Sequence, residues 1–136
     1  MMIGLDTNVL VRFLTADDPS QSASANKLIS SLTEEQPGFV SLVTVVETCW
    51  VLRQSYRYPI SDVNHVIAEL LDTAELVIDQ DDLVRAALAV AAETGRELPD
   101  ALIAERGATA GCVTTYTFDK QASSLPGMNL LAATTT

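Results

Sequence analysis

The sequence predicts an α/β fold in three layers, a parallel sheet with helices on both faces. Three observations predict it. Short apolar runs alternate along the chain with longer segments whose apolar residues recur at helical spacing. Turn and cap residues (Asp-Thr-Asn, Asp-Asp-Pro-Ser, Pro-Gly) fall between them. The length of 136 residues with 48% hydrophobic content suits one self-sufficient core. There is no repeat, linker or composition shift to mark a second domain.

The elements follow in order. Residues 2–5 (Met2-Ile3-Gly4-Leu5) read as a short buried strand, and residues 9–14 as a helix with Asn8 or Thr7 near its cap. After Asp17-Asp18-Pro19-Ser20, a helix is expected over residues 20–32, with Ala25, Leu28, Ile29 and Leu32 on one face. Residues 39–42 look like a second strand. Residues 43–55 place Val43, Val46, Trp50 and Val51 at helical spacing, with Glu47 among them. A helix from Ser61 or Asp62 to about Thr73 precedes a third strand at residues 75–78. The alanine-rich residues 82–94 form a helix stopped by Gly95. Pro99 opens the next helix in the position proline tolerates best. Strands at residues 112–116 and 128–131 complete the set, and βα units of this length imply parallel pairing.

Composition excludes several classes. Cys49 and Cys112 both lie in apolar runs and read as reduced core residues of a cytoplasmic protein, not as a disulfide framework. No signal-peptide pattern and no membrane-spanning apolar stretch is expected. The formal net charge of −10 opposes the basic stripe expected of a nucleic-acid binder. Several metal-binding carboxylates would contribute to that excess, and the remainder serves solubility or a basic partner.

Four acids stand at the edges of apolar segments: Asp6, Glu47, Asp100 and Asp119. Each has a structural alternative. Asp6 can cap the following helix, Asp100 can complement a helix dipole, and Asp119 can cap. Glu47 is harder to excuse, because its wheel neighbours Val43, Val46, Trp50 and Val51 are taken as the buried face. A buried, unpaired glutamate costs several kcal/mol or is forced neutral. Asp6, Asp100 and Asp119 fall where the chain leaves a strand or enters a helix, the edge at which parallel sheets form their crevice.

If the four meet, the chemistry is that of Mg²⁺ or Mn²⁺, which take hard oxygen ligands. The single histidine, His65, reads as a surface residue, and no Cys/His pattern suggests zinc. No histidine-like base is placed for a serine or cysteine nucleophile. A haloacid dehalogenase-type phosphatase would need an Asp where Asn8 stands. A receiver domain would need an acidic pair where Asp6 is alone, and P-loop and dinucleotide fingerprints are absent.

Leu5-Asp6-Thr7-Asn8-Val9-Leu10, Val45-Val46-Glu47, Pro99-Asp100-Ala101-Leu102-Ile103-Ala104 and Thr117-Phe118-Asp119-Lys120 together carry a resemblance. The chain resembles a PIN-domain ribonuclease and, in size and build, a VapC-type toxin of a prokaryotic toxin–antitoxin pair. The resemblance covers essentially the whole chain, with the motifs in the family's order. It implies a single PIN-like nuclease domain over residues 1–136, with a five-stranded parallel sheet in the order 3-2-1-4-5. It implies that Asp6, Glu47, Asp100 and Asp119 bind one or two Mg²⁺ or Mn²⁺ ions. Thr7 and Asn8 would orient the first acid and the scissile phosphate, and Thr117 fills the hydroxyl position before the last acid. Glu97 stands where many relatives carry an Asp and is an open candidate for a further ligand. Implied partners are an RNA substrate, a cognate antitoxin and a second copy of the chain, with no membrane. Arg12, Arg53 and Lys120 lie near the motifs as candidate substrate-binding bases or ordinary surface charges. The alternative function is a solitary or catalytically idle PIN-like module that acts through protein or RNA binding.

Overall fold

The computed structural model describes residues 1–134. The chain forms two compact units, Met1–Asp81 and the remainder from Asp82 on. Among the described residues no helix is long and apolar enough to cross a membrane.

The first unit is a parallel three-stranded sheet with two crossovers. β1 (Ile3–Gly4) is followed by α1 (Thr7–Leu14) and α2 (Pro19–Ser30), then β2 (Gly38–Val40), α3 (Leu42–Gln54), α4 (Ile60–Leu71) and β3 (Leu76–Ile78). The strand order is β1-β2-β3, with Ile3 opposite Gly38 and Gly38 opposite Leu76. Leu5 N–H donates to the Phe39 carbonyl and Asp79 N–H to that of Val40, both at 2.9 Å. Parallel neighbours cannot be joined by tight hairpins, which is why a helix pair intervenes each time.

Local signals explain the boundaries. Asp18 caps α2 by accepting from Gln21 N at 3.0 Å, with Pro19 at the first helical position. Ser41, expected inside a strand, instead ends it and caps α3, accepting from Thr44 N at 3.1 Å. Pro59 opens α4 without a side-chain cap, so neither Ser61 nor Asp62 fills that role. The core of this unit includes the fully buried Leu10, Val40, Val45, Leu52 and Ile67. Each such side chain contributes roughly 1.5–3 kcal/mol on transfer from water.

Gly38 is buried because three leucines converge on it. A Cβ there would lie 2.9 Å from Leu32 Cδ1, 2.9 Å from Leu5 Cδ1 and 3.0 Å from Leu76 Cδ2. The middle strand therefore gives up a side chain so that residues from β3, the β1 end and the α2 end can close over it.

The second unit begins at α5 (Asp81–Thr94), which stops at Gly95 with φ +70° as the sequence predicts. It continues through α6 (Leu98–Thr109), β4 (Thr115–Thr117), a 3₁₀ turn (Ala122–Ser124) and β5 (Met128–Leu130). β4 and β5 pair in parallel, with Thr115 opposite Met128 and Thr117 opposite Leu130. Val84, Ala87, Ala91, Leu98, Ala101, Leu102 and Ala104 make its helical core.

The α/β reading with parallel strands holds. The predicted order appears in two segments, 3-2-1 and 4-5, and the 1–4 step belongs to neither ladder. One strand begins later than expected. Residues 111–113 are exposed, Gly111 turns with φ +98°, and pairing starts only at Thr115. Cys112 is consequently exposed, not a core residue, whereas Cys49 is buried in α3. A β-branched run supplies strand propensity, but pairing is set by the partner strand.

Candidate functional site

Asp6 lies two residues beyond β1, at the N-cap of α1. Its Oδ1 accepts from Val9 N at 3.1 Å, so the cap is Asp6 itself and not Thr7 or Asn8. Thr7 is thereby left with a free hydroxyl at the first helical position, and it donates to Glu47 Oε1 at 2.6 Å. α3 packs beside α1 and brings Glu47 within reach of a residue forty positions earlier. Asp6, Thr7, Asn8 and Glu47 line one cleft of about 510 Å³, together with Val46, Trp50 and Val51.

Glu47 corrects the sequence analysis. It is exposed, and so are Val43 (68%) and Trp50 (63%). The buried face of α3 is Thr44, Val45, Thr48, Cys49 and Leu52. The helix is apolar on two sides, and the choice between them turned on two threonines that proved to be buried. Glu47 is thus a solvent-facing carboxylate held by Thr7, and no burial penalty attaches to it.

The second unit gathers its own acids. Asp100 sits in the first turn of α6 behind Pro99 and is half-buried. Burial, then the charges of Glu97 and Asp119, push its carboxyl above the ordinary value. Glu97 immediately precedes α6, and its side chain does not cap it. Asp119 follows β4 by two residues. Its Oδ1 accepts from Gln121 N at 2.8 Å and Ala122 N at 3.3 Å, capping the 3₁₀ turn. Thr117 Oγ1 accepts from the Asp119 amide at 3.0 Å, which ties the acid to the end of the strand.

The structure therefore brings Asp6, Thr7, Asn8 and Glu47 together in one unit, and Glu97, Asp100, Asp119 and Thr117 in the neighbourhood of one another in the other. Among the described residues no three carboxylate, histidine or cysteine side chains are arranged to hold an ion as they stand. The donor chemistry nonetheless fits Mg²⁺ or Mn²⁺, being carboxylates with hydroxyl and amide oxygens. The Asp100 carboxyl is raised first by burial and then by the charges of Glu97 and Asp119, so these three carboxyls act on one another electrostatically.

Of the candidate bases, Arg12 is already engaged. Its Nε donates to Gln21 Oε1 at 2.8 Å, and its Nη1 donates to Tyr56 Oη at 3.0 Å and Asp17 Oδ1 at 3.2 Å. Tyr56 donates in turn to Asp17 Oδ2 at 2.6 Å. This knot ties α1 to the α1–α2 turn and the end of α3. In the sequence its members stand only as isolated charges and an isolated tyrosine. Arg53 Nη1 donates to the Tyr58 carbonyl at 3.0 Å. Lys120 is exposed beside Asp119. His65 pairs with Glu69 at 3.1 Å on the surface of α4, as a surface histidine should.

Asp6 and Asp119 each follow the carboxyl end of a parallel strand, a recurrent place for ligand sites in α/β folds. The PIN domain family model matches residues 3–127. The chain belongs to the PIN domain family. The match runs through all four acids and both units of the PIN domain. No curated relative matches the sequence. Among solved structures, VapBC2 from Rickettsia felis bound to a DNA fragment from their promoter is similar at 16% identity and a TM-score of 0.38. The alignment covers 96% of this chain and 98% of that one. A likeness this distant carries no weight for substrate or partner.

Proposed function

We propose that this PIN domain is a Mg²⁺- or Mn²⁺-dependent endoribonuclease and the toxin of a type II toxin–antitoxin pair. Asp6, Glu47, Asp100 and Asp119 are its catalytic and metal-binding carboxylates. Glu97 is a further candidate ligand. On this reading residues 1–136 act as a single PIN-like nuclease domain with strand order 3-2-1-4-5, working in the cytoplasm as a homodimer held in check by an antitoxin. The observation that carries the proposal is the cleft in which Asp6 and Glu47 face solvent, with Thr7 hydrogen-bonded between the two elements.

The bound ion would supply an acidified water and charge neutralisation at the phosphate. The chain's residues do the rest. Thr7 engages one oxygen of Glu47 and leaves the other for ligation. Asp6 and Asp119 each commit Oδ1 to local amides, which fixes the carboxylate planes, and no hydrogen bond to either Oδ2 is made among the described residues. Asn8, exposed in the same cleft, can donate its side-chain amide to a phosphate oxygen. Burial, Glu97 and Asp119 raise the Asp100 carboxyl above its ordinary value, and an ion held there would offset that penalty on its charged form. The products would be a 5′-phosphate and a 3′-hydroxyl.

The test is cleavage of structured RNA by the purified protein with Mg²⁺ or Mn²⁺, beside Asp6→Asn. Asparagine caps a helix as well as aspartate does, so the fold is preserved. Cleavage lost in the variant and in chelator supports the reading; equal cleavage by both proteins defeats it. Growth arrest on expression, relieved by the product of an adjacent reading frame, tests the toxin assignment.

A further inference from the structure

The cleft beside Asp6 and Glu47 has one wall that the nuclease reading does not use. Glu47 and Trp50 are one helical turn apart on α3, and both face outward. Trp50 is 63% exposed although it is the largest apolar side chain in the sequence, and Val46 and Val51 flank it in the same cleft. Burial of that indole in the core would be worth more than its hydrogen-bonding tip, so its position at the surface, within a carboxylate-lined cleft, calls for an occupant.

The charge of the chain narrows the choice. With eight basic residues against eighteen acidic ones, and Arg12 already tied to Asp17, long-range attraction cannot draw in a polyanion. RNA affinity must then come from contacts indifferent to net charge, and stacking of a base on an aromatic ring is the strongest of these. A cleft of about 510 Å³ falls within the size range of small-ligand sites and accommodates a nucleotide. Its acidic end suits a cation-bridged phosphate, and its indole end suits the attached base.

We infer that Trp50 is the base-stacking platform of the site, holding an unpaired nucleobase of the RNA substrate next to the bond presented to Asp6 and Glu47. This rests on the nuclease reading above. Because a stacked base must be splayed out of any helix, the preferred substrate is a single-stranded or looped segment. Stacking accepts every base, so the platform selects for unpairedness more than for sequence.

Trp50 is the only tryptophan, so its emission reports directly on the contact. Wild-type protein is titrated with an unstructured mixed-sequence RNA in Ca²⁺, whose loose coordination supports binding without the strict geometry that hydrolysis needs. Saturable quenching is expected, with a shallow salt dependence equivalent to roughly one or two phosphates. In Mg²⁺, Trp50→Leu should raise KM about tenfold with kcat within about threefold, while Trp50→Phe retains most of the affinity. Retention by phenylalanine shows that the loss in the leucine variant is not misfolding. RNA cleaved normally with no quenching, or with KM unmoved in Trp50→Leu, overturns the stacking role and leaves the nuclease intact. Emission that shifts with protein concentration before RNA is added shows that a second copy or other protein surface covers Trp50, and overturns it too. No cleavage by the wild type with either metal overturns the nuclease reading itself.

Discussion

The hydroxyl of Thr7 donates to Oε1 of Glu47 at 2.6 Å, joining the first residue of α1 to the middle of α3. Both carboxylate-bearing elements of this cleft are thereby held in one geometry. Thr7→Val keeps the shape and removes the hydrogen bond. We expect kcat to fall about tenfold while stability changes by less than about 1 kcal/mol, since the pair is exposed. Thr7→Ser should recover most of the rate. Steady-state kinetics beside thermal melts separates the two effects.

Asp100 makes the metal-free protein less stable as pH rises. Its folded carboxyl lies above the ordinary value because burial, Glu97 and Asp119 all disfavour the charge. The folded state therefore binds more protons than the unfolded one between the ordinary carboxyl value and the raised one, and stability falls with rising pH across that window. Above it the penalty is constant; below the ordinary value it vanishes. Asp100→Asn should raise the metal-free Tm at neutral pH, flatten this pH dependence and abolish the Mg²⁺-induced rise. Thermal melts between pH 3 and 8, with and without Mg²⁺, provide the comparison; a lower metal-free Tm would make Asp100 an ordinary first-turn acid.

Asp17 shifts the opposite way. The hydrogen bond from Tyr56, assisted by Thr15 and the charge of Arg12, holds its carboxyl below the ordinary value. Its stabilisation is present at neutral pH and is lost as pH falls through the depressed value. Tyr56→Phe should move the Asp17 titration back upward, seen by NMR, and lower the Tm at pH 7 more than at pH 3. Identical losses at both pH values would mean that packing, not the hydrogen bond, is what Tyr56 contributes.

Gly38→Ala should cost about 1–3 kcal/mol, because the added methyl meets three leucine side chains within 3.0 Å. Leu32→Val removes one of those contacts, so the double variant should be less unstable than the sum of the single ones. Urea unfolding of the four proteins measures the coupling; strict additivity would show that the glycine is needed for another reason.

The fold was largely legible because its punctuation is chemical. Asp18-Pro19 and Gly95 mark helix ends by mechanisms that act locally, and the structure follows them. The same local chemistry placed Asp6, Asp100 and Asp119 at strand and helix ends. What failed was the facing of α3, since a helix apolar on two sides does not announce which side the core takes. Thr44 and Thr48 went inward and Val43 and Trp50 outward. The spacing thus assigns Glu47 a burial it does not have and sets Trp50 on the same inward face, whereas both are exposed. The Arg12–Tyr56–Asp17 knot is invisible in the sequence for another reason: Tyr56 is remote from the other two and reaches them only through tertiary packing.

Two of the four acids hold a second post. Asp6 and Asp119 start a helix and a 3₁₀ turn with one oxygen each, whatever their other oxygen does. A descendant that abandoned chemistry would still be under selection to keep them, so their presence alone does not certify an active enzyme. Glu47 and Asp100 cap nothing among the described residues, and drift at those two positions is where a retired nuclease would first betray itself.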